Sequence, residues 1–283
     1  MAPKKLRLTD ISQSFEADTI ISQKTKQPIS FKDLMADLKS VRVIYVGENH
    51  TDPAHHAVQL KILQALFQQN ADISIGMEMF DHSYQHILEK WSAGSLDQKS
   101  FLKKTHWYAN WKFDFNLYKN ILDYAQKNHI RVVGINIPFH IPRKISIGGI
   151  ENLLEDDKKH LPEKIDTSIS AHRAYLEEIF KDHYPHAQDP EAFENFYAAQ
   201  CVWEDTMAEA IARNLTKGQM LVIAGNGHIR YKYGIPQRAF ERTTAAFRTI
   251  FPAPAGMEAQ LSYADYIWVT AGDKKKAPRA QHP

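Results

Sequence analysis

Apolar and polar positions along the chain fall into alternating blocks of two kinds. Residues 41–46 form a mostly apolar run rich in β-branched side chains, the pattern of a strand buried on both faces, and the run ends at Gly47. Asp52 and Pro53 then supply an N-cap and a first-turn proline for a helix reaching about Gln69, after which 73–79 returns to the strand pattern. Strand, helix and strand in such close succession make a βαβ unit, for which parallel pairing with a right-handed crossover is strongly favoured. The rhythm recurs. A helix near 118–127 leads into a strand at 131–137, and a helix over about 193–214 leads into a strand at 220–224. Residues 246–251 and 266–270 are two further strand candidates.

This pattern predicts a three-layer α/β/α fold with a mainly parallel sheet, occupying 41–272 as one domain. Before it, residues 1–40 read as a lead-in in which Phe31, Leu34, Met35 and Leu38 recur at helical spacing behind a Ser30 cap. The stretch of about 138–190, with Gly148-Gly149, several prolines and a charged segment, reads as a helical insertion. Residues 273–283 read as a solvated, disordered tail.

Composition narrows the function classes. At 283 residues, with 43% hydrophobic and 24% charged positions, the chain is an ordinary globular protein rather than a disordered or disulfide-stapled one. Thirty-five basic against 33 acidic residues leave a net charge of +2, so there is no electrostatic case for nucleic acid as a partner. The single cysteine, Cys201, excludes an intramolecular disulfide, cysteine-rich zinc or iron–sulfur sites and the C-x-x-C-H haem attachment motif. No apolar run is long enough to span a membrane, and Met1-Ala2-Pro3-Lys4-Lys5 lacks the apolar stretch of a secretory signal. Histidine is unusually frequent, at 14 residues.

In a parallel sheet the carboxyl ends of the strands share one edge, and ligands bind in the crevice there. Polar residues stand at each of these ends: Gly47-Glu48-Asn49-His50, Glu78, Asn136 and Gly225-Asn226-Gly227-His228. Two ends carry the same G-x-x-H pattern, in which glycine permits a sharp, even positive-φ, turn and brings His50 and His228 to face each other. With Glu48 and Glu78 they would suit a zinc, manganese or iron ion, or a general base acting on water without metal. A nucleophilic triad is disfavoured, since there is no G-x-S-x-G and Cys201 lies in a helical run. His55 and His56 read as helix core, His82 and His86 as solvated surface, and His183 and His186 as loop. Trp107, Tyr108, Trp111, Phe113 and Phe115 read as packing rather than a ligand wall. Glu204 shares a helix face with Gln200, Met207 and Ile211 and either reaches the crevice or points outward.

Several ordered blocks resemble a known family. Val46-Gly47-Glu48-Asn49-His50, Pro53-Ala54-His55-His56 with Gln59, and Met77-Glu78-Met79-Phe80 are followed by Trp107 and Trp111, Asn136-Ile137-Pro138, and Gln200 and Trp203 through Met207-Ala208. Ala224-Gly225-Asn226-Gly227-His228 and Gly234-Ile235-Pro236 complete the set. Over roughly 28–240 these blocks are similar to the ChaN-like haem-binding uptake proteins, grouped with the Tiki/TraB and erythromycin-esterase-like proteins. The resemblance implies an α/β/α core and a haem-binding role in bacterial iron acquisition. Its partners would be haem, a second copy of the chain and an outer-membrane haem or iron uptake system. It places the protein in the cell envelope or periplasm as a lipoprotein if a leader precedes Met1, and in the cytoplasm if Met1 is the native start. This chain departs from the pattern in having Phe139-His140 before Pro142-Arg143, Glu204 where Asp or Asn is usual, and no lipoprotein cysteine.

Two functions follow as expectations. A haem carrier needs an axial Tyr or His, an apolar slot and cations for the propionates, and Tyr231, Tyr233, Arg230, Lys232 and Arg238 stand just after the second histidine loop. A peptidase or esterase would instead use His50, His228, Glu48 and Glu78 as metal ligands or as bases.

Overall fold

The computed structural model describes residues 4–184 and 190–272. Eleven strands are seen among them: β1 (Leu6–Leu8), β2 (Gln13–Phe15), β3 (Ile20–Ser22), β4 (Gln27–Ile29), β5 (Val43–Glu48), β6 (Ile73–Asp81), β7 (Arg131–Asn136), β8 (Gln219–Gly225), β9 (Phe247–Pro254), β10 (Glu258–Ala259) and β11 (Tyr266–Thr270). The principal sheet has the order β4-β3-β11-β9-β5-β8-β6-β7. Its six strands from β11 to β7 run parallel, while β3 and β4 pair antiparallel at one edge. A small sheet, β10-β1-β2, stands apart from it. The α/β class with a mainly parallel sheet is therefore as expected. The four strands before residue 40 were not, because three-residue strands carry too little alternation to register as a pattern.

Helices α1 (Phe31–Leu38), α2 (Pro53–Gln69), α3 (Gln85–Ser92), α4 (Gln98–Lys104), α5 (Trp107–Asn110) and α6 (Asn116–Lys127) precede β7. The region of the expected insertion holds α7 (His140–Gly148), α8 (Glu155–Lys158) and α9 (Ser170–His183). Then come α10 (Pro190–Asn214), α11 (Asn226–Ile229) and α12 (Ile235–Thr243). Ser30 caps α1 through a reciprocal box with Asp33, and the Asp52 carboxylate accepts from Ala54 N at 2.9 Å at the start of α2.

Alternation along the central strands builds the layers. Ile44, Val46, Ile75, Met77, Leu221 and Ile223 pack with Ile62, Leu63 and Leu66 of α2 and with Leu88, Ile121 and Leu122. Val43, Tyr45, Val133, Ile135, Met220 and Val222 pack against Met207, Ala208 and Ile211 of α10 and Ile235 and Ala239 of α12. Further apolar clusters join α10 to α7 through Ile137, Ile141, Ile145 and Val202, and to α9 through Leu176, Tyr197 and Cys201. The tail expected at 273–283 lies outside the described residues.

Candidate functional site

The two histidine loops leave adjacent strands, with Glu48 of β5 paired to Gly225 of β8. Neither Gly47 nor Gly225 has a positive φ, so the turn geometry expected of them is not what requires glycine. The requirement is space, and it is reciprocal. A Cβ on Gly47 would lie 2.0 Å from the Asn226 side chain of the other loop, and a Cβ on Gly225 would lie 3.1 Å from the His50 ring. Each glycine thus makes room for a side chain from the opposite loop. Glu78 reaches the same place because β6 is irregular between Met77 and Asp81, where Gly134 of β7 lets the bulging backbone approach.

Around His50, the Glu48 carboxylate accepts from the Nδ1–H at 2.7 Å and from the Tyr118 hydroxyl at 2.5 Å, while Gln59 donates to its other oxygen at 2.9 Å. His56 Nε2 stands 3.3 Å from that second oxygen. The His50 ring packs edge-on against Trp111 and beside Phe113, with centroids at 4.8 and 5.2 Å. Because Nδ1 is committed to Glu48, Nε2 turns toward Gly225 and Glu78.

His228 is built differently. Its Nδ1–H donates to Glu204 at 3.2 Å, and its Nε2 lies 3.5 Å from Glu78. Glu78 itself accepts from the Gly225 N–H at 2.6 Å. The other oxygen of Glu204 lies 3.1 Å from His172 Nε2 and 3.5 Å from Arg238 Nε. Trp203 packs against the His228 ring at 5.1 Å and donates to the Asn136 side chain at 2.6 Å. His50 and His228 keep 16% and 11% of their side chains exposed, whereas Glu48, Glu78 and Glu204 keep 2% or less, so of these five the imidazoles are the ones that reach the surface.

Charge is strongly organised here. Burial opposes ionisation of Glu48, but the hydrogen bond from His50 and the neighbouring His56 outweigh it and hold the carboxyl well below its usual range. Burial also penalises charge on Glu78 and Glu204, and the facing histidines again prevail, keeping both ionised. Burial would lower His228, yet Glu78 and Glu204 together push it up to about 10, and the Glu48 bond with the Glu78 charge raises His50 in the same sense. His55, dominated by burial, falls to about 4.

The structure brings Glu48, His50, Glu78 and His228 into one crevice and adds Glu204 to it. It gives the expected metal set no support. Both oxygens of Glu48 are occupied behind His50, and among the described residues no group of three or more His, Cys, Asp or Glu is placed to hold an ion. The other set divides. Arg238 is fully buried between Asp205, Glu204, His172 and Cys201, so its assignment as a propionate contact is corrected. Lys232 pairs with Asp265 at 2.6 Å. Arg230 lies over the Tyr263 ring at 4.3 Å with a buried Nε that has no hydrogen-bond partner, and Tyr231 stacks on Tyr233 while donating to Gln260. Tyr231 and Lys232 both hold positive φ, a strained pair in a half-buried turn.

Other readings shift too. Trp107 and Phe115 are core, but Trp111 and Phe113 wall the crevice beside His50. His82 is not simply solvated: it binds the Asn136 carbonyl at 3.1 Å and His160 at 2.9 Å. His86 is exposed and bonds the Ser83 carbonyl, His183 ends α9, and His186 lies outside the described residues. Sequence reasoning missed Tyr118 and His172. Tyr118 shares the buried face of α6 with Ile121, Leu122 and Ala125, and a tyrosine hydroxyl on such a face needs a partner, which was the available signal. Nothing in the sequence around His172 marks it.

A three-layer α/β protein with a two-histidine crevice at the carboxyl edge of its sheet defines the class. The family model described as haem-binding uptake, Tiki superfamily, ChaN matches residues 34–239, and the chain belongs to that family. Among solved structures, ChaN of Campylobacter jejuni, described as binding haem cofacially, is 19% identical with a TM-score of 0.71, the match covering 88% of this chain and 95% of that one. A mutant of the erythromycin esterase EreC in its open conformation is 13% identical with a TM-score of 0.47, covering 83% and 77%. A Bacillus cereus protein is 15% identical with a TM-score of 0.47, covering 79% and 68%. No curated protein matches the sequence. Among the described residues no helix is long and apolar enough to cross a membrane.

Proposed function

We propose that this protein binds haem non-covalently in the service of haem or iron uptake. The observation that carries the proposal is the match to the haem-binding uptake family over residues 34–239. A fitting surface lies beside the His228 loop, where the rings of Tyr175, Phe251 and Tyr263 pack on Arg230 and Tyr231 stacks between Tyr233 and Tyr263. The half-buried Arg230 guanidinium is a cation of the kind that an anion such as a propionate requires. Bound haem would supply a redox-active, ligand-accepting iron, and the chain's own task is to hold its faces and neutralise its edge. Haemin titration should give a Soret band saturating at fixed stoichiometry, weakened at least tenfold by Tyr233→Phe or Arg230→Ala. A spectrum no different from nonspecifically bound haemin would overturn the proposal.

One observation favours a second reading, metal-free hydrolysis of an ester or peptide: two His–Glu pairs converge on one crevice with a third glutamate between them. His50, oriented by Glu48, would act as a base through its neutral form at the Nε2 that faces Glu78, and His228, charged because of Glu78 and Glu204, would stabilise a developing oxyanion. Ester and peptide screens with His50→Ala and His228→Ala decide it. Turnover unaffected by both substitutions removes this reading.

A further inference from the structure

We infer that His172 is a positioning residue of the crevice, holding Glu204 from α9 as the carboxylate that orients the His228 imidazole. The inference rests on the crevice being the working site, and the geometry that carries it is a chain of contacts crossing three elements. Arg238 of α12 places Nη2 3.3 Å from His172 Nδ1, and a guanidinium only donates, so Nδ1 must accept. The proton of the His172 ring is thereby assigned to Nε2. Nε2 lies 3.1 Å from Glu204 Oε2, an ion-pair distance rather than an aligned hydrogen bond, and that buried oxygen has no hydrogen-bond partner among the described residues. The remaining oxygen, Oε1, takes the His228 Nδ1–H. Space for this oxygen is reserved by Gly234, where a Cβ would lie 2.5 Å from it.

The groups facing His228 are Glu78 from β6, Glu204 from α10 and His50 from the loop after β5, with His172 and Arg238 behind Glu204. His172 keeps the charges in separate places. Its ring stays neutral because it is buried and beside Arg238, so the cationic proton goes to His228 and the negative charge stays on Glu204. Through this residue α9, which belongs to the helical region after β7, reaches the crevice without touching a ligand.

The test reads ionisation directly, so it stands whether or not haem binding or hydrolysis is found. In full-length protein labelled with ¹⁵N-histidine, His172→Gln and His228→Gln assign the two ring signals. The wild-type His172 should remain the neutral Nε2–H tautomer through the range in which the exposed histidines titrate. His172→Leu should lower the His228 midpoint by about one pH unit, tenfold in proton affinity, while His172→Gln, which restores an N–H toward Glu204, should keep it near wild type. A His172 ring that titrates ordinarily or carries its proton on Nδ1 overturns the inference, and so does an unchanged His228 midpoint in a folded His172→Leu variant. Should His172→Leu fail to fold, the wild-type tautomer alone decides.

Discussion

The two halves of the crevice start from the same G-x-x-H pattern and arrive at opposite physics. Glu48, behind His50, is held by a phenol from α6, which is packed into the larger core, and by an amide and an imidazole from α2. Glu204, behind His228, is held by a guanidinium and a second histidine from the opposite helical layer, where Arg238, Asp205 and Arg242 form a buried ionic network. A phenol and an amide fix a carboxylate without charge of their own and leave its charge to the imidazoles beside it. An ionic network fixes it too, but couples the imidazole to charges several residues away. The motif supplies a histidine at a strand end; the layer behind it decides how that histidine titrates.

The strongest way to break the contrast is to remove each carboxylate. Glu204→Ala takes from Arg238 and His228 one of the two carboxylates each faces, and loss of one partner from a buried ionic set costs about 3–5 kcal/mol. Glu48→Gln replaces one accepting oxygen by an amide donor that faces the donors already on it, and should cost about 1–3 kcal/mol. Urea unfolding checks the order, and a larger loss for Glu48→Gln would refute the distinction.

The pH dependence of the melting temperature sharpens it next. The folded His228 titrates at about 10, above its unfolded value near 6.5, so its contribution is full below that unfolded value and drains away as pH rises toward 10. The three glutamates are depressed and contribute in the opposite sense, losing their stabilisation as pH falls below the usual carboxylate range. Alkaline destabilisation should therefore be much reduced in His228→Gln and retained in His50→Gln.

Smaller effects probe the join between the halves. Gly47→Ala forces a methyl into Asn226 and should cost about 1–3 kcal/mol, whereas Gly227→Ala, with nothing within 4 Å of its Cβ position, should stay within about 0.5 kcal/mol of wild type. Between them lies Tyr118→Phe, about 1 kcal/mol, which loosens Glu48 without displacing it. Equal losses in both glycine variants would mean that the loops are not interlocked.

Legibility in the sequence followed the strength of the local pattern. The long apolar runs of β5, β6 and β8 and the capped helix α2 announced themselves, and so did the histidine-tipped strand ends and Glu78, because a carboxylate between Met77 and Met79 demands a partner. What failed depended on distance in the chain. Arg238 reads as a propionate cation until α9 and α10 close over it, and Glu204 is ambiguous because a helix face alone does not say which neighbour it meets. The edge strands β3 and β4 were too short to show alternation. The glycines were noticed for the wrong reason: a turn was inferred where a side chain from elsewhere needed room.

The crossed accommodation of Asn226 over Gly47 and of His50 over Gly225 means that neither loop has a finished shape by itself. A nascent chain halted before β8 would display its first histidine over a void, and a transplanted second loop would lack the notch that receives its asparagine. Any change of residue at one notch therefore has to be answered at the other, which ties together stretches that are translated far apart.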